Sequence, residues 1–513
     1  MTDLIRLCLS HAHARERLMR STIRENETEN VVIGPFIDGL IVESQDTGRV
    51  DVTNPSDGKK CLTIPAGSDT DVNRAVESAR RAFHDGRWSG AAPSFKKSAL
   101  IRFAELIERN ADRLDVLDAV EMGKPVGERF GSATSAAGLV RFYAEAVDKI
   151  RGDVFSSDAR AFVAQRQVPR GVVAAVVPWN FPTAVAVLKI APALAAGNTV
   201  VLKPSELASR SSMLLAELAV QAGVPKGVLN VVPGLGETVG RALGLHKDVD
   251  MIAFTGSTSV GKLMLQYSGQ SNMKVVQAEC GGKSPHIVFG ECDDIDLVSD
   301  AIAKSLLVNQ GQVCSVGSRL LVHRSIENRV LERIARRFSQ IVIGDALDKN
   351  TTFGPLVSAT QCERVLRHID TAKTEGAKLV VGGRRVRKES GGFFVEPTLL
   401  SGVSPAARIS QEEVFGPVLA SICFDSEEEM VNIANGTMYG LSAYVWTSNM
   451  SIGMRVANRL SSSVRLNAAL PMGEGPGYAA SSEPYKQSGI GVEGGIAGME
   501  TYMRRKRIWI NHA

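Results

Sequence analysis

Between Gly171 and Glu279, short apolar runs alternate with stretches of helical spacing, and this alternation limits the fold more than any other feature of the chain. Val172–Val177, Thr199–Leu202, Val228–Val232, Met251–Phe254 and Lys274–Ala278 read as strands. Glu206–Ala222, stopped by Gly223, a short stretch near Thr238–Leu243 and a run starting at Ser257 read as the helices between them. Such an order gives right-handed βαβ units and a parallel sheet. The strands are apolar on both sides, as expected where helices cover both faces. A second alternation begins after Gly282, with helices Ile295–Leu307 and Ile326–Phe338, a strand Arg319–His323 and an extended segment Phe393–Leu399. Upstream, Asp71–Phe83 and Ser98–Leu117 have helical spacing. The expected class is α/β, with two parallel-sheet units. At 513 residues and 44% hydrophobic composition the chain can bury a large core without staples.

Charge and cysteine usage remove several functional classes. The net charge of +4 is too balanced for a dedicated nucleic-acid or membrane-surface binder. The basic segment Tyr502–Ile510 reads as an edge strand with its charges facing solvent. Seven dispersed cysteines, with no CxxC, point to a reducing compartment, and a cytoplasmic location is expected. Residues 1–30 read as a polar tail. Their five arginines imitate a transit peptide, but Asp3 and Glu16 argue against one, and no secretory h-region is visible. The most apolar region, Gly171–Lys203, contains Pro178, Asn180, Pro182 and Lys189 and does not read as a membrane span. The eight histidines are scattered, and no metal site is expected.

Five loops carry candidate chemistry. Cys314 lies in a small-residue loop between Gly311 and Gly317, where a substrate could reach its sulfur. No histidine is near it in sequence, so a Cys/His hydrolase is not favoured; an ordinary buried cysteine is the plainer alternative. Glu279 ends a strand and precedes Gly281 and Gly282, where α/β sheets place ligands; it could serve as a base on water, or be a surface glutamate. Asn180, between Pro178 and Pro182, could donate to a developing oxyanion, or the segment could be a rigid turn around Trp179. Phe254-Thr255-Gly256-Ser257 is a strand, tight turn and helix start that could present N–H groups to a pyrophosphate, a weak signal by spacing alone. Lys203 and Glu206 could hydrogen-bond a ribose, or belong to a capping turn around Ser205.

Taken in order, PWNFP (178–182), KPSE (203–206), FTGS (254–257), ECGGKSP (279–285), GQVCS (311–315) and EEVFGPV (412–418) resemble the aldehyde dehydrogenase superfamily, from about residue 36 to the C-terminus. The resemblance implies oxidation of an aldehyde to the acid by way of a thiohemiacetal and a thioester. Cys314 matches the nucleophile, Glu279 the base, Asn180 the oxyanion donor and Lys189 a lysine often counted with them. Trp179, Lys203, Ser205, Glu206, Gly236, Phe254, Gly256, Ser257, Glu413 and Phe415 match cofactor contacts. Phe181, Val185, Leu188, Val313 and Ser315 match the substrate tunnel. Glu206 points to NAD over NADP, because a carboxylate accepts from a ribose 2′-hydroxyl and repels a 2′-phosphate. The architecture implied is a tail (1–35), a Rossmann-type NAD-binding domain (36–155 with 171–281), a catalytic domain (282–480) and a β oligomerisation arm (156–170 with 494–513) in a homodimer or homotetramer.

The chain departs from the family at Cys280, where leucine is usual, at Ser482-Glu483-Pro484, where Phe-Gly-Gly is usual, and in the glycine-rich loop 469–484. Leu188 offers neither an aromatic wall for a quaternary ammonium nor a fork for a carboxylate. It therefore argues for a neutral aliphatic or aromatic aldehyde over betaine aldehyde or a semialdehyde. Glu279 argues against a coenzyme-A-acylating relative, and the intact Cys314, Glu279 and Asn180 against a non-catalytic structural one.

Overall fold

A computed structural model describes residues 33–45, 48–470 and 479–511. The N-terminal tail and positions 471–478 of the glycine-rich loop lie outside the described residues.

The first alternation builds an eight-stranded sheet. Its middle is five parallel strands in the order Leu229–Val231, Thr199–Lys203, Val172–Val176, Met251–Thr255 and Val275–Glu279. Strands Phe36–Ile37 and Leu40–Ile41 close one edge, and Gly489–Ile490 closes the other, antiparallel to Val275–Glu279. Every residue of Val172–Val176 and Thr199–Lys203 is buried. Alternate side chains go to opposite faces. Val173, Ala175, Val200 and Leu202 join a core with helices Pro93–Arg109, Ala133–Ala146, Pro182–Ala195 and Arg210–Gln221. Val172, Ala174 and Val201 join a second core with helix Asp69–His84. Each fully buried valine or leucine contributes roughly 1.5–3 kcal/mol.

The strand order reverses at Val172–Val176. The chain first moves outward through Thr199–Lys203 to Leu229–Val231, then returns to Met251–Thr255 on the other side. The crevice outside the carboxyl ends of the strands at such a switch point is where α/β sheets bind ligands.

The second alternation builds a seven-stranded sheet, ordered Lys378–Val381, Thr398–Ser401, Val418–Phe424, Gly317–His323, Ser284–Val288, Ser442–Trp446 and Ser463–Leu466. Only its first strand runs antiparallel. A separate three-stranded antiparallel sheet joins Asp153–Phe155, Ala161–Pro169 and Met503–Asn511. Asp153–Phe155, expected at the end of the first domain, thus pairs with the arm, and Gly489–Ile490 with the first sheet.

Two helices differ from expectation. The helical segment from Ser98 to Leu117 is divided into Pro93–Arg109 and Ala111–Met122. Asn110 makes the break: its backbone leaves the helical region (φ −105°, ψ 16°), and its side-chain amide donates to Leu106 O (2.8 Å) beside its own N–H. The helix expected from Glu206 starts at Arg210, because Ser205–Ala208 forms a tight turn and Ser209 Oγ donates back to Ser205 O.

Candidate active site

The two parallel sheets meet where three loops converge. Strand Val172–Val176 delivers Asn180, which is buried ahead of the proline that opens helix Pro182–Ala195. Asn180 Nδ2 donates to Gln312 O (2.9 Å), and Asn180 O accepts from Asn309 Nδ2 (2.7 Å). These bonds tie the first sheet's loop to the segment that carries Cys314. That segment has left-handed backbone at Asn309 and Gln310, at φ 45° and 56°. Non-glycine residues there cost roughly 1–3 kcal/mol each, a strain typical of functional loops. Val357 N–H and the Asn309–Gln312 amides hold the turn from inside.

Gly281 and Gly282 bring the third loop in. A Cβ on Gly282 would sit 2.3 Å from Cys314 O, and one on Gly281 would sit 2.4 Å from Glu413 Oε2. Only glycine admits this approach. Gly282 N–H donates to Glu413 Oε1 (3.0 Å). Ser488 Oγ donates to Gly281 O (2.8 Å) and accepts from Gly440 N–H (2.9 Å), so a C-terminal segment pins the same loop.

The electrostatics are dominated by carboxylates. Burial pushes the Cys314 thiol up to about 12, and Glu413, Glu279 and Glu493 push the same way. Glu279 is raised to about 8 by burial and then by Glu493, against the pull of Lys189. Its Oε1 has no hydrogen-bond partner among the described residues. Lys189, fully buried, forms a close ion pair with Glu493. Glu493 is a residue that reading the sequence missed. It lies in GIGVEGG, where no spacing marks it, and only the pairing of Gly489–Ile490 with the Glu279 strand carries it to the site.

The residues expected to contact a cofactor lie along the crevice. Lys203 ends its strand buried, with Nζ donating to Glu206 Oε2 (3.2 Å); burial lowers its pKa and Glu206 opposes this. Ser257 caps helix Thr258–Gln270, accepting from Val260 N–H, and that helix start is open to solvent. No heavy atom lies within 4 Å of where a Cβ on Gly236 would stand. An open helix N-terminus, an unfilled position at Gly236 and a half-exposed Glu206 carboxylate fit a dinucleotide's pyrophosphate and ribose. Trp179 and Phe415 meet edge to face at 5.3 Å between ring centres, Phe415 being held at φ 56° by Gln361 Nε2, which donates to its carbonyl (2.7 Å). Two residues sit differently. The Phe254 ring is buried beneath Gly256 and Gly261, forming a floor, and Ser205 is buried within its own turn. Cys280 is buried, its sulfur against Gly261.

Of the expected tunnel residues, Phe181 and Val313 are buried together in one core, with Val185 packed against it. Leu188 is half-buried against the core of the first sheet. Phe181 stacks edge to face on Phe130 at 5.4 Å. Among the described residues no cluster of metal-ligating side chains occurs, and no helix is long and apolar enough to cross a membrane.

The sequence profile of the aldehyde dehydrogenase family matches residues 41–508. The chain is 40% identical over 479 residues to aminoacetaldehyde dehydrogenase of Pseudomonas aeruginosa, covering 93% of this chain and 95% of that protein. It is 38% identical to the NADP/NAD-dependent aldehyde dehydrogenase PuuC of Escherichia coli, with coverage of 93% and 95%. Among solved structures, an indole-3-acetaldehyde dehydrogenase complexed with NAD+ superposes with a TM-score of 0.92 at 42% identity, covering 96% of this chain and 99% of that one.

Proposed function

The chain belongs to the aldehyde dehydrogenase family, whose members oxidise aldehydes to acids with NAD, and from that premise we propose how its own residues do so. Cys314 is the nucleophile. Its thiol is held protonated by burial and by three surrounding carboxylates, so a base must take the proton as the sulfur attacks. Glu279, when ionised, is that base. The new C–S bond turns the carbonyl oxygen into an oxyanion, which Asn180 Nδ2 and the Cys314 N–H are placed to hold. When bound, NAD supplies the two-electron oxidant for the adduct on Cys314. Lys203, Glu206, Gly236 and Ser257 would hold its adenosine ribose and pyrophosphate, and Glu413 and Phe415 the nicotinamide end. Glu279 releases the thiol proton to solvent, and at the thioester level the carboxylate so restored accepts a proton from water. The water oxygen attacks the acyl carbon, the C–S bond breaks, and the Cys314 sulfur regains a proton. Lys189 and Glu493 adjoin Glu279 and set how readily it gives that proton up.

What supports this reading is the hydrogen bond from Asn180 Nδ2 to Gln312 O, which joins the oxyanion donor to the nucleophile's turn. Glu206 favours NAD, with NADP as the second cofactor. The apolar Phe181, Val185, Leu188 and Val313 favour a neutral aliphatic or aromatic aldehyde. The aldehyde for which the indole-3-acetaldehyde dehydrogenase is named carries an aromatic group of this kind. Strands that share a sheet support a cofactor-binding part (36–152 with 171–281, joined by Gly489–Ile490), a catalytic part (282–480) and an arm that takes Asp153–Phe155 with it (153–170 with 494–513). The arm's open strand edge supports a homodimer or homotetramer, and the reduced cysteines a cytoplasmic location. The test is NADH formation across an aldehyde panel without coenzyme A, beside Cys314→Ala. Free acid formed by the parent and not by the variant is expected. Acid formation by Cys314→Ala would overturn the nucleophile assignment.

A further inference from the structure

Three adjacent parallel strands of the second sheet place His286, Tyr444 and Arg465 directly opposite one another. They form a ladder on one face. The His286 and Tyr444 rings lie 4.6 Å apart between centres, tilted by 33°. The Arg465 guanidinium lies over the other side of the Tyr444 ring, 5.8 Å from its centre. Trp446 Nε1 donates to His286 Nδ1 (3.3 Å) from the same strand as Tyr444. Tyr444, His286 and Trp446 are fully buried.

This ladder ends on the nucleophile's turn. Tyr444 Oη donates to Ser315 O (2.8 Å), on the residue after Cys314. Two residues further on, His286 lies against Gly317, where a Cβ would stand 2.3 Å from the imidazole Cδ2. Ser315 is bonded directly to Cys314, whose own carbonyl lies against Gly282, where a Cβ would stand 2.3 Å away. Holding the Ser315 carbonyl therefore restricts the peptide that follows the nucleophile. Burial keeps the Tyr444 phenol protonated, raised to about 12, and keeps His286 neutral, lowered to about 3. Neither group changes its charge over the working pH range, so the support does not titrate.

We infer that Tyr444, clamped in register between His286 and Arg465, is a positioning residue for the nucleophile: its hydroxyl holds the Ser315 carbonyl and so fixes the turn from which Cys314 projects. The inference rests on Cys314 being the nucleophile. It adds a residue that touches neither aldehyde nor cofactor and acts through the backbone of the turn.

Tyr444→Phe tests it, because the ring and its stacking remain and only the hydroxyl is lost. Steady-state kinetics and the pH dependence of Cys314 alkylation by iodoacetamide, read by mass spectrometry on the folded protein, are the measurements. The charged groups facing Cys314 are Glu413, Glu279 and Glu493, and all are unchanged in the variant. Removing one hydrogen bond of ordinary strength should lower kcat about five- to tenfold. KM for aldehyde and for NAD should stay within about twofold, because uniform binding is untouched. At every pH measured the alkylation rate should fall about threefold, as the loosened turn holds the sulfur less often in its reactive orientation. Arg465→Met should give a smaller change of the same sign. Parent-like kcat and alkylation in Tyr444→Phe would overturn the inference. So would a lower kcat that merely follows a lower melting temperature while the alkylation rate stays put. Acid formation by Cys314→Ala would instead sink the underlying nucleophile assignment, so the two failures are distinguishable.

Discussion

Glu279 is asked to accept protons, yet it sits largely buried beside another carboxylate. Burial and the Glu493 charge raise it from 4.5 to about 8, while Lys189 pulls it down. A general base works only when ionised, so a raised pKa moves its working range upward. Turnover limited by thioester hydrolysis should therefore rise with pH and level off above about 8, falling about tenfold for each unit below that value. A rate profile flat between pH 6 and 9 would show that Glu279 is not the limiting base. Glu279→Gln should lose the rapid NADH phase as well as steady turnover, because the same carboxylate takes the thiol proton and the water proton; an NADH burst of one per Cys314 in the variant would show that another base activates the thiol. Glu493→Gln tests the neighbour. With its charge gone and Lys189 unopposed, the Glu279 pKa falls, and the acid limb should shift down by about one unit. An upward shift would contradict this arrangement. The sequence made Cys314, Glu279 and Asn180 legible because each sits in a local motif at a strand or helix end. Glu493 was illegible for a physical reason: an ion pair spanning 304 residues leaves no local spacing.

Among the elements, the central strands of the first sheet followed the apolar runs within a residue or two, since burial on both faces leaves little choice of boundary; in the second sheet Arg319–His323 was read two residues short, and Ser284–Val288, Val418–Phe424 and Ser442–Trp446 were not read as strands. Helix ends were less legible, because single side-chain hydrogen bonds decide them, as Asn110 and Ser209 show. One pair of helices is joined by a contact no pattern announces. Glu121, near the end of Ala111–Met122, accepts from Arg210 N–H (3.1 Å) and Arg210 Nε (3.1 Å) at the start of Arg210–Gln221. Both side chains are buried, and Glu121 thereby serves as the acceptor at an otherwise uncapped helix start. Breaking one partner of a buried pair leaves the other charge without compensation and costs about 3–5 kcal/mol. Glu121→Ala should lower the urea midpoint accordingly. Glu121→Met with Arg210→Met, which removes both charges, should recover much of that loss. If the double variant were as unstable as the single one, helix packing and not the stranded charge would be the cause.

At the scale of the whole molecule, the arm is the part whose logic lies outside one chain. Met503–Asn511 pairs along all nine of its residues with Ala161–Pro169, and among the described residues no strand lies on its outer edge. An open edge of that length invites another chain unless charge blocks it. Here Arg504, Arg505, Lys506 and Arg507 guard its first half, but the second half is apolar and bare, with Trp509 at 65% and Ile510 at 46% exposure. Val154 and Phe155, on the sheet's opposite edge strand, are exposed at 70% and 46%. Apolar residues exposed together on one small sheet mark an association surface. The contact proposed is between copies of this chain, since a protein using a small aldehyde needs no other partner there. Trp509→Glu with Ile510→Glu places charges on that half of the strand without removing an intrachain backbone hydrogen bond. Light scattering should then show a species of half or a quarter of the parent mass at the same protein concentration. Active-site residues lie in the other two sheets and their loops, so NAD binding per chain should be retained. An unchanged mass would move the interface elsewhere, and a monomeric parent would remove the arm's role altogether.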